Sequence, residues 1–300
     1  MDLTSFTGRS VVLTGATGFV GYHLAKRLVV LGARVTALTR AGSKTDRLRS
    51  IGVACRIAPL DRPAEIVEAI TGADLLFHVA GAVDFDDDWD RFRATNVEGT
   101  RSVLNACRSA GVRRVVHVSS IVAVGAGRTS VPLDEAAKWN LGPLRIPYVT
   151  TKREAEDLAL AAAASGQDVR IANPGCVIGP DDFSESEFGN LCRRFWKGKV
   201  PIHFSGGNNF VDVRDVADGL LRIAERGRVG ERYILGGWNR TYARFFGELA
   251  RYGDRRHPRL TLPACMAPAM AIAEKRFRKR GARPVLSPEQ ARLLGRYFFF

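Results

Sequence analysis

Cysteine is scarce in this chain of 300 residues, and the five present stand apart at positions 55, 107, 176, 192 and 265. An odd number with no Cys-x-x-Cys pair excludes a disulfide framework and offers no zinc-binding pattern, which leaves free thiols. The five histidines are scattered as well; His78 and His117 each fall in an apolar strand-like run and read as packing residues, so no metal site is expected. Long apolar runs are missing. The most apolar late stretch, 260–273, is broken by Pro263 and Pro268 and is too short to span a bilayer. A basic leader followed by an apolar run is absent from the N-terminus, so the expectation is a cytoplasmic chain with no secretory or membrane-spanning start. There is no internal repeat, and no low-complexity segment beyond 159–164.

Acidic residues are outnumbered, 31 against 45 lysines and arginines, giving a formal charge of +14. The arginines are spread along the whole chain, which argues against a nucleic-acid groove; no nucleic-acid partner is expected. Only the tail concentrates charge, at Arg251, Arg255, Arg256, Arg259, Lys275, Arg276, Arg278, Lys279, Arg280 and Arg283. The plain reading is a solvated surface. The sharper alternative is an anionic surface, membrane or acidic protein, met beside Met266, Met270 and Ile272.

Hydrophobic content of 46% and this length suffice for one large α/β unit with an appended lobe. Short apolar runs at 11–13, 35–39, 53–57, 74–79, 115–118 and 169–173 read as strands. Helix-length sequence lies between them, at 19–31, 63–70, 89–110 and 148–164. Such alternation predicts a doubly wound parallel sheet, the Rossmann arrangement, over residues 1–173. Beyond Pro174 the alternation stops. A helix is predicted near 188–196, a return to the sheet within 208–235, and a helical, basic remainder over 236–300. The substrate lobe is therefore expected to be discontinuous, built from 174–207 and 236–300.

The richest feature is Gly15-Ala16-Thr17-Gly18-Phe19-Val20-Gly21, set between the first strand and first helix. Its first glycine permits a tight turn, its second lets backbone approach a pyrophosphate, and its third lets helix and strand pack closely. Backbone N–H groups and the positive helix end then face the phosphates. A nicotinamide dinucleotide is the expected cofactor. Where a carboxylate would bond the ribose hydroxyls, the second strand ends in Thr39-Arg40, with Lys44 shortly after. A guanidinium there can stack on adenine and bond a 2′-phosphate, which favours NADP(H) and leaves NAD(H) open.

Tyr148 and Lys152 stand one helical turn apart on one face. A cation beside a phenol is expected to lower its pKa from about 10, so that it can exchange a proton with a substrate oxygen near neutral pH. Ser120, at the end of the fifth strand, can hydrogen-bond the same oxygen.

With these motifs, and with Phe77-His-Val-Ala80, Thr95-Asn-Val-Glu-Gly-Thr100, Asn173-Pro-Gly175, Gly179-Pro180, 210–216 and 230–237, the chain resembles the extended short-chain dehydrogenase/reductase family nearly end to end. It is most similar to dihydroflavonol reductase-type and hopanoid-associated sugar epimerase-like members. The resemblance implies a Ser120, Tyr148 and Lys152 triad, with Lys152 also holding the nicotinamide ribose. It also implies cofactor contacts at Leu60, Val79, Ala80, Ser119, Pro174 and Val177, and it leaves a homodimer open. Asn96 reads equally as a support of the site or of its own helix. Three departures matter. Ala58-Pro59-Leu60 replaces the usual Gly-Asp-Leu, Asn208 stands where sugar-nucleotide members carry arginine, and Ile121-Val122 follow the serine where dehydratases carry acids. The first removes the usual adenine contact; the other two point to a smaller or more lipophilic carbonyl or alcohol as substrate, with a sugar epimerase and a non-catalytic scaffold as alternatives. The family continues past Phe300, so a truncated or unusual tail is expected.

Overall fold

The computed structural model describes residues 6–83, 88–183, 186–253, 256–258, 260–277 and 286–300. Its first half alternates β1 (Ser10–Thr14), α1 (Phe19–Val30), β2 (Arg34–Thr39), α2 (Asp46–Ser50), β3 (Ala54–Ile57), α3 (Pro63–Ile70), β4 (Leu75–His78), α4 (Trp89–Phe92), α5 (Gly99–Ser109), β5 (Arg114–Val118), α6 (Pro147–Ala164) and β6 (Val169–Pro174). The second half contains β7 (Cys176–Ile178), α7 (Glu187–Trp196), β8 (Ile202–Phe204), β9 (Gly207–Asp212), α8 (Val213–Arg226), β10 (Arg232–Leu235) and β11 (Trp238–Thr241). It ends with α9 (Tyr242–Arg251), β12 (Leu260–Leu262), α10 (Ala267–Phe277), α11 (Pro288–Leu293) and β13 (Tyr297–Phe298).

Seven strands form a parallel sheet in the order β10-β6-β5-β4-β1-β2-β3. Its central strands are apolar on both faces because helices cover both sides. Val11 and Leu13 point to one core, shared with Leu24 and Leu28 of α1 and Leu220 of α8. Val12 points to the other, with Ile66 of α3, Val103 of α5 and Ala159 of α6. The strand order reverses between β1 and β4, which opens a crevice at their carboxyl ends, where ligands of such sheets bind.

Three expectations are corrected. The helix foreseen over 89–110 is interrupted by a π-helical turn, Arg93–Glu98, between α4 and α5; its Asn96 bonds outward to a neighbouring loop and helix. Of the segment 208–235, α8 packs on the main sheet and β10 joins it, but β9 does not. β9 instead centres a second sheet, parallel to β7 and β13 and antiparallel to β11. The remainder after 236 is thus partly strand, because β11 and β13 are held by backbone pairing with β9 rather than by a periodic apolar face. Of the basic tail, residues 255, 259, 278–280 and 283 lie outside the described residues.

Candidate active site

The crevice is shaped first by the glycine turn. Gly15 has φ +71°, and a Cβ there would lie 2.5 Å from the Ala80 backbone nitrogen and 2.8 Å from the Val79 carbonyl carbon. The turns after β1 and β4 touch, backbone to backbone, at the switch point. Gly21 is buried against the Gly15 carbonyl with no space for a side chain. Gly18 begins α1 with no side-chain cap, and no acid stands in the first turn. The helix end therefore keeps its N–H groups and positive dipole for an anion, and Thr17, Phe19 and Val20 surround it.

From Thr14 a buried hydrogen-bond chain runs across the sheet. Thr100 Oγ1 donates to the Asn96 carbonyl at 2.6 Å, so it accepts from His78 Nε2 at 3.0 Å. His78 Nδ1 is left to accept from Thr14 Oγ1 at 2.8 Å, and Thr14 Oγ1 in turn accepts from the Ala80 N–H at 3.2 Å. This assigns His78 the neutral Nε2–H tautomer. Burial, with the Lys152 charge adding to it, holds its pKa down at about 3. Asn96 clamps the same loop: its Oδ1 accepts from Ala82 N–H at 2.7 Å, and its Nδ2 donates to the Ala82 carbonyl at 3.2 Å and to Thr151 Oγ1 at 3.0 Å. The π-turn that carries Asn96 is a form of helix common at functional sites.

Ser120 follows β5 and caps a short 3₁₀ turn through its Oγ. Its hydroxyl hydrogen-bonds the Tyr148 hydroxyl at the start of α6, while Lys152 Nζ donates to the Val118 carbonyl at 2.9 Å. The structure thus brings Ser120, Tyr148 and Lys152 together at the end of β5. The expected lowering of the phenol is not found. Burial raises the Tyr148 pKa, the Ser120 hydrogen bond opposes that rise, and the Cys176 thiol adds to it. The Lys152 ammonium is bonded to Val118, and burial lowers its own pKa to about 8 against the pull of Glu156.

Behind this group lie residues that the motif reading passed over. Glu156, fully buried, accepts from Asn173 Nδ2 at 2.6 Å, and Asn173 Nδ2 also reaches the Ser120 carbonyl at 3.0 Å. An Arg232 nitrogen lies 2.9 Å from Glu156 Oε1, an ion pair by proximity without hydrogen-bond alignment. The available signal was spacing: Glu156 stands four residues after Lys152, on the same face. The hydroxyl of Ser119 is buried with no partner among the described residues. His117 is also buried, with neither ring nitrogen bonded among them, so the packing reading describes it better than it does His78.

The other expected contacts fall into two groups. Val79 and Ala80 border the crevice, Pro174 is buried at the end of β6, and Val177 is half-buried in β7. Leu60 packs beneath Gly99 at the start of α5, and Asp61 is exposed. Arg40 and Lys44 are exposed just beyond β2, apart from the Ser120 group. Three strand steps separate β2 from β5, about 14 Å at the usual spacing.

The sequence pattern of the NAD dependent epimerase/dehydratase family matches residues 11–236. The chain belongs to this family. Relatives include a putative dihydroflavonol 4-reductase of Synechocystis sp., 34% identical over 269 residues, covering 88% of this chain and 78% of that protein. Sterol demethylase protein B of Methylococcus capsulatus is 31% identical over 274 residues, covering 90% of this chain and 83% of that one. The crystal structure of gox2253 superposes with a TM-score of 0.85 at 29% identity, over 98% of this chain and 90% of that one. Among the described residues no helix is long and apolar enough to cross a membrane, and no cluster of metal-ligating side chains occurs.

Proposed function

We propose that this family member is an NADP(H)-preferring dehydrogenase/reductase of the extended short-chain type, interconverting a ketone and its alcohol. The observation that carries this reading is the Tyr148–Ser120 hydroxyl pair at the end of β5, with Lys152 one turn further along α6. The glycine turn fits the cofactor: its contacts exclude any side chain at Gly15 and Gly21 and leave the α1 N–H groups for a pyrophosphate. A bound nicotinamide would supply or accept the hydride. Tyr148 then donates a proton to the substrate oxygen during reduction, and Ser120 holds that oxygen by a hydrogen bond. Lys152 keeps a positive charge beside the pair, which favours the phenolate left behind. Arg40, with Lys44, meets the 2′-phosphate at the far end. The names of the two relatives favour a lipophilic substrate, and Ile121 and Val122 supply apolar wall where an acidic pair would otherwise serve dehydration.

The test is a screen of lipophilic ketones, flavonoids, sterols and sugar nucleotides that follows NADPH absorbance. Tyr148→Phe is expected to cut kcat by about 10²–10⁴-fold while leaving the cofactor Kd nearly unchanged. Full turnover in Tyr148→Phe would refute the assignment. Conversion of a sugar nucleotide with no net change in absorbance would identify an epimerase instead.

A further inference from the structure

We infer that the outer face of α10 is a docking surface for an anionic lipid bilayer. The helix has the reverse of the usual arrangement. Its inner face carries small residues: Ala267 and Ala271, both almost fully buried, pack with Ala291 of α11 and against Phe204, Leu286 and Leu294. Ile272, by contrast, is 64% exposed, and Met266, one residue before the helix, is 46% exposed. With Cys265, Ala269 and Ala273, also exposed, they form a solvent-facing stripe that holds no charge until Arg276.

Residues 260–273 contain no charged side chain, and Leu260 on β12 is exposed as well. A soluble surface helix normally turns its polar side to water, so a stripe of this kind indicates a partner.

Charge identifies the partner. After Glu274, whose carboxylate accepts from the Leu286 N–H, six of the nine residues 275–283 are lysine or arginine and none is acidic. Arg276 is exposed at the end of that stripe, and Arg251 and Arg256 are exposed in the preceding segment. A second copy of a chain with net charge +14 would bring like charges together over this face. An anionic bilayer instead accepts both parts: the apolar side chains enter the headgroup boundary, and each nearby basic residue gains about 1 kcal/mol from the surface potential. Docking there would place the second lobe where a lipophilic substrate is dissolved. That consequence rests on the functional reading above; the docking itself does not.

The experiment is co-sedimentation of the full-length, cofactor-loaded protein with vesicles of phosphatidylcholine alone and of phosphatidylcholine mixed with phosphatidylserine. Wild type is expected to pellet with the mixed vesicles and not with the neutral ones. Ile272→Glu, at an exposed position, should retain its circular dichroism spectrum and lose vesicle binding by about tenfold or more. Arg276→Glu should weaken binding and reduce its salt dependence. Absence of binding, or equal binding of wild type and Ile272→Glu, would overturn the proposal. So would a wild-type dimer that Ile272→Glu converts to monomer while vesicle binding persists. Binding that polyglutamate blocks equally in wild type and Ile272→Glu would assign the surface to an acidic protein. Because the readout is binding, failure here leaves the catalytic reading standing, and failure of that reading leaves the docking result standing.

Discussion

Lys152 Nζ donates to the Val118 carbonyl at 2.9 Å, so the ammonium is tied to the last residue of β5, two residues before Ser120. The bond anchors the charge to the sheet at the end of β5. A lysine held this way in a buried site titrates early, at about 8.

That early titration is visible in stability. Between about pH 8 and the ordinary lysine value of 10.5, unfolded Lys152 holds a proton that the folded side chain has released. Stability from this group is therefore lowest below pH 8 and rises through the window, at up to about 1.4 kcal/mol per pH unit. Buried thiols act in the opposite sense at high pH, since burial pushes Cys192 up to about 11. The stability of wild type minus that of Lys152→Met isolates the lysine. In urea unfolding of the cofactor-free proteins, this difference is expected to climb from pH 8 to pH 10; a flat difference would contradict it.

The two buried histidines predict opposite mutational outcomes. Each keeps a folded pKa below 6.5, so each loses stability as pH falls below that value while the unfolded chain takes up protons. His117→Leu removes this loss together with two ring nitrogens that have no partner among the described residues, and at pH 5 it is expected to stabilise by about 1–3 kcal/mol. His78→Leu strands Thr14 and Thr100, and at pH 7 it is expected to destabilise by a similar amount, about 1–3 kcal/mol. Urea titrations at the two pH values decide both signs.

Gly15→Ala combines a left-handed backbone with a collision against the Ala80 and Val79 backbone, neither of which can turn aside. A loss of about 2–5 kcal/mol is expected from strain and overpacking, together with a weaker cofactor Kd. Thermal unfolding and fluorescence titration with NADPH measure the two effects. Unchanged values in both would mean that the turns do not touch in solution.

Arg40→Ala tests the adenosine end alone. The Kd for NADPH is expected to weaken by about tenfold or more, the value of a charge-assisted hydrogen bond, while that for NADH stays within about twofold. Equal loss for both cofactors would assign Arg40 to adenine stacking.

Where a signal in the sequence was periodic or steric, it led to the right element. Val11 and Leu13 against Val12, and Leu24 and Leu28 at helical spacing, marked β1 and α1 because a buried two-sided sheet requires such residues. The Ser120, Tyr148 and Lys152 grouping was legible as a motif, and the end of β5 and the start of α6 bring the three side chains to one place. The π-turn was not legible, because Arg93–Glu98 keeps ordinary helical composition and differs only in its hydrogen bonding. Strands β11 and β13 were hidden for a related reason: Trp238–Thr241 and Tyr297–Phe298 are fixed by partners far along the chain. The direction of the Tyr148 shift also escaped, since spacing reveals a nearby lysine but not the carbonyl that occupies it.

The placement of β9 between β7, β11 and β13 has a consequence for how the chain matures as it leaves the ribosome. Domains tend to organise from the N-terminal end during synthesis, and six of the seven main strands have emerged by residue 174. The glycine turn, Ser120, Tyr148 and Lys152 all belong to that early portion. The apolar wall beside Tyr148 also needs Phe298 and Phe300, and β9 needs Tyr297 and Phe298 to complete its pairing. The Ser120, Tyr148 and Lys152 side chains are thus made early and the wall beside them late, so a nascent chain stalled before residue 297 would carry all three without Phe298 and Phe300 against Tyr148.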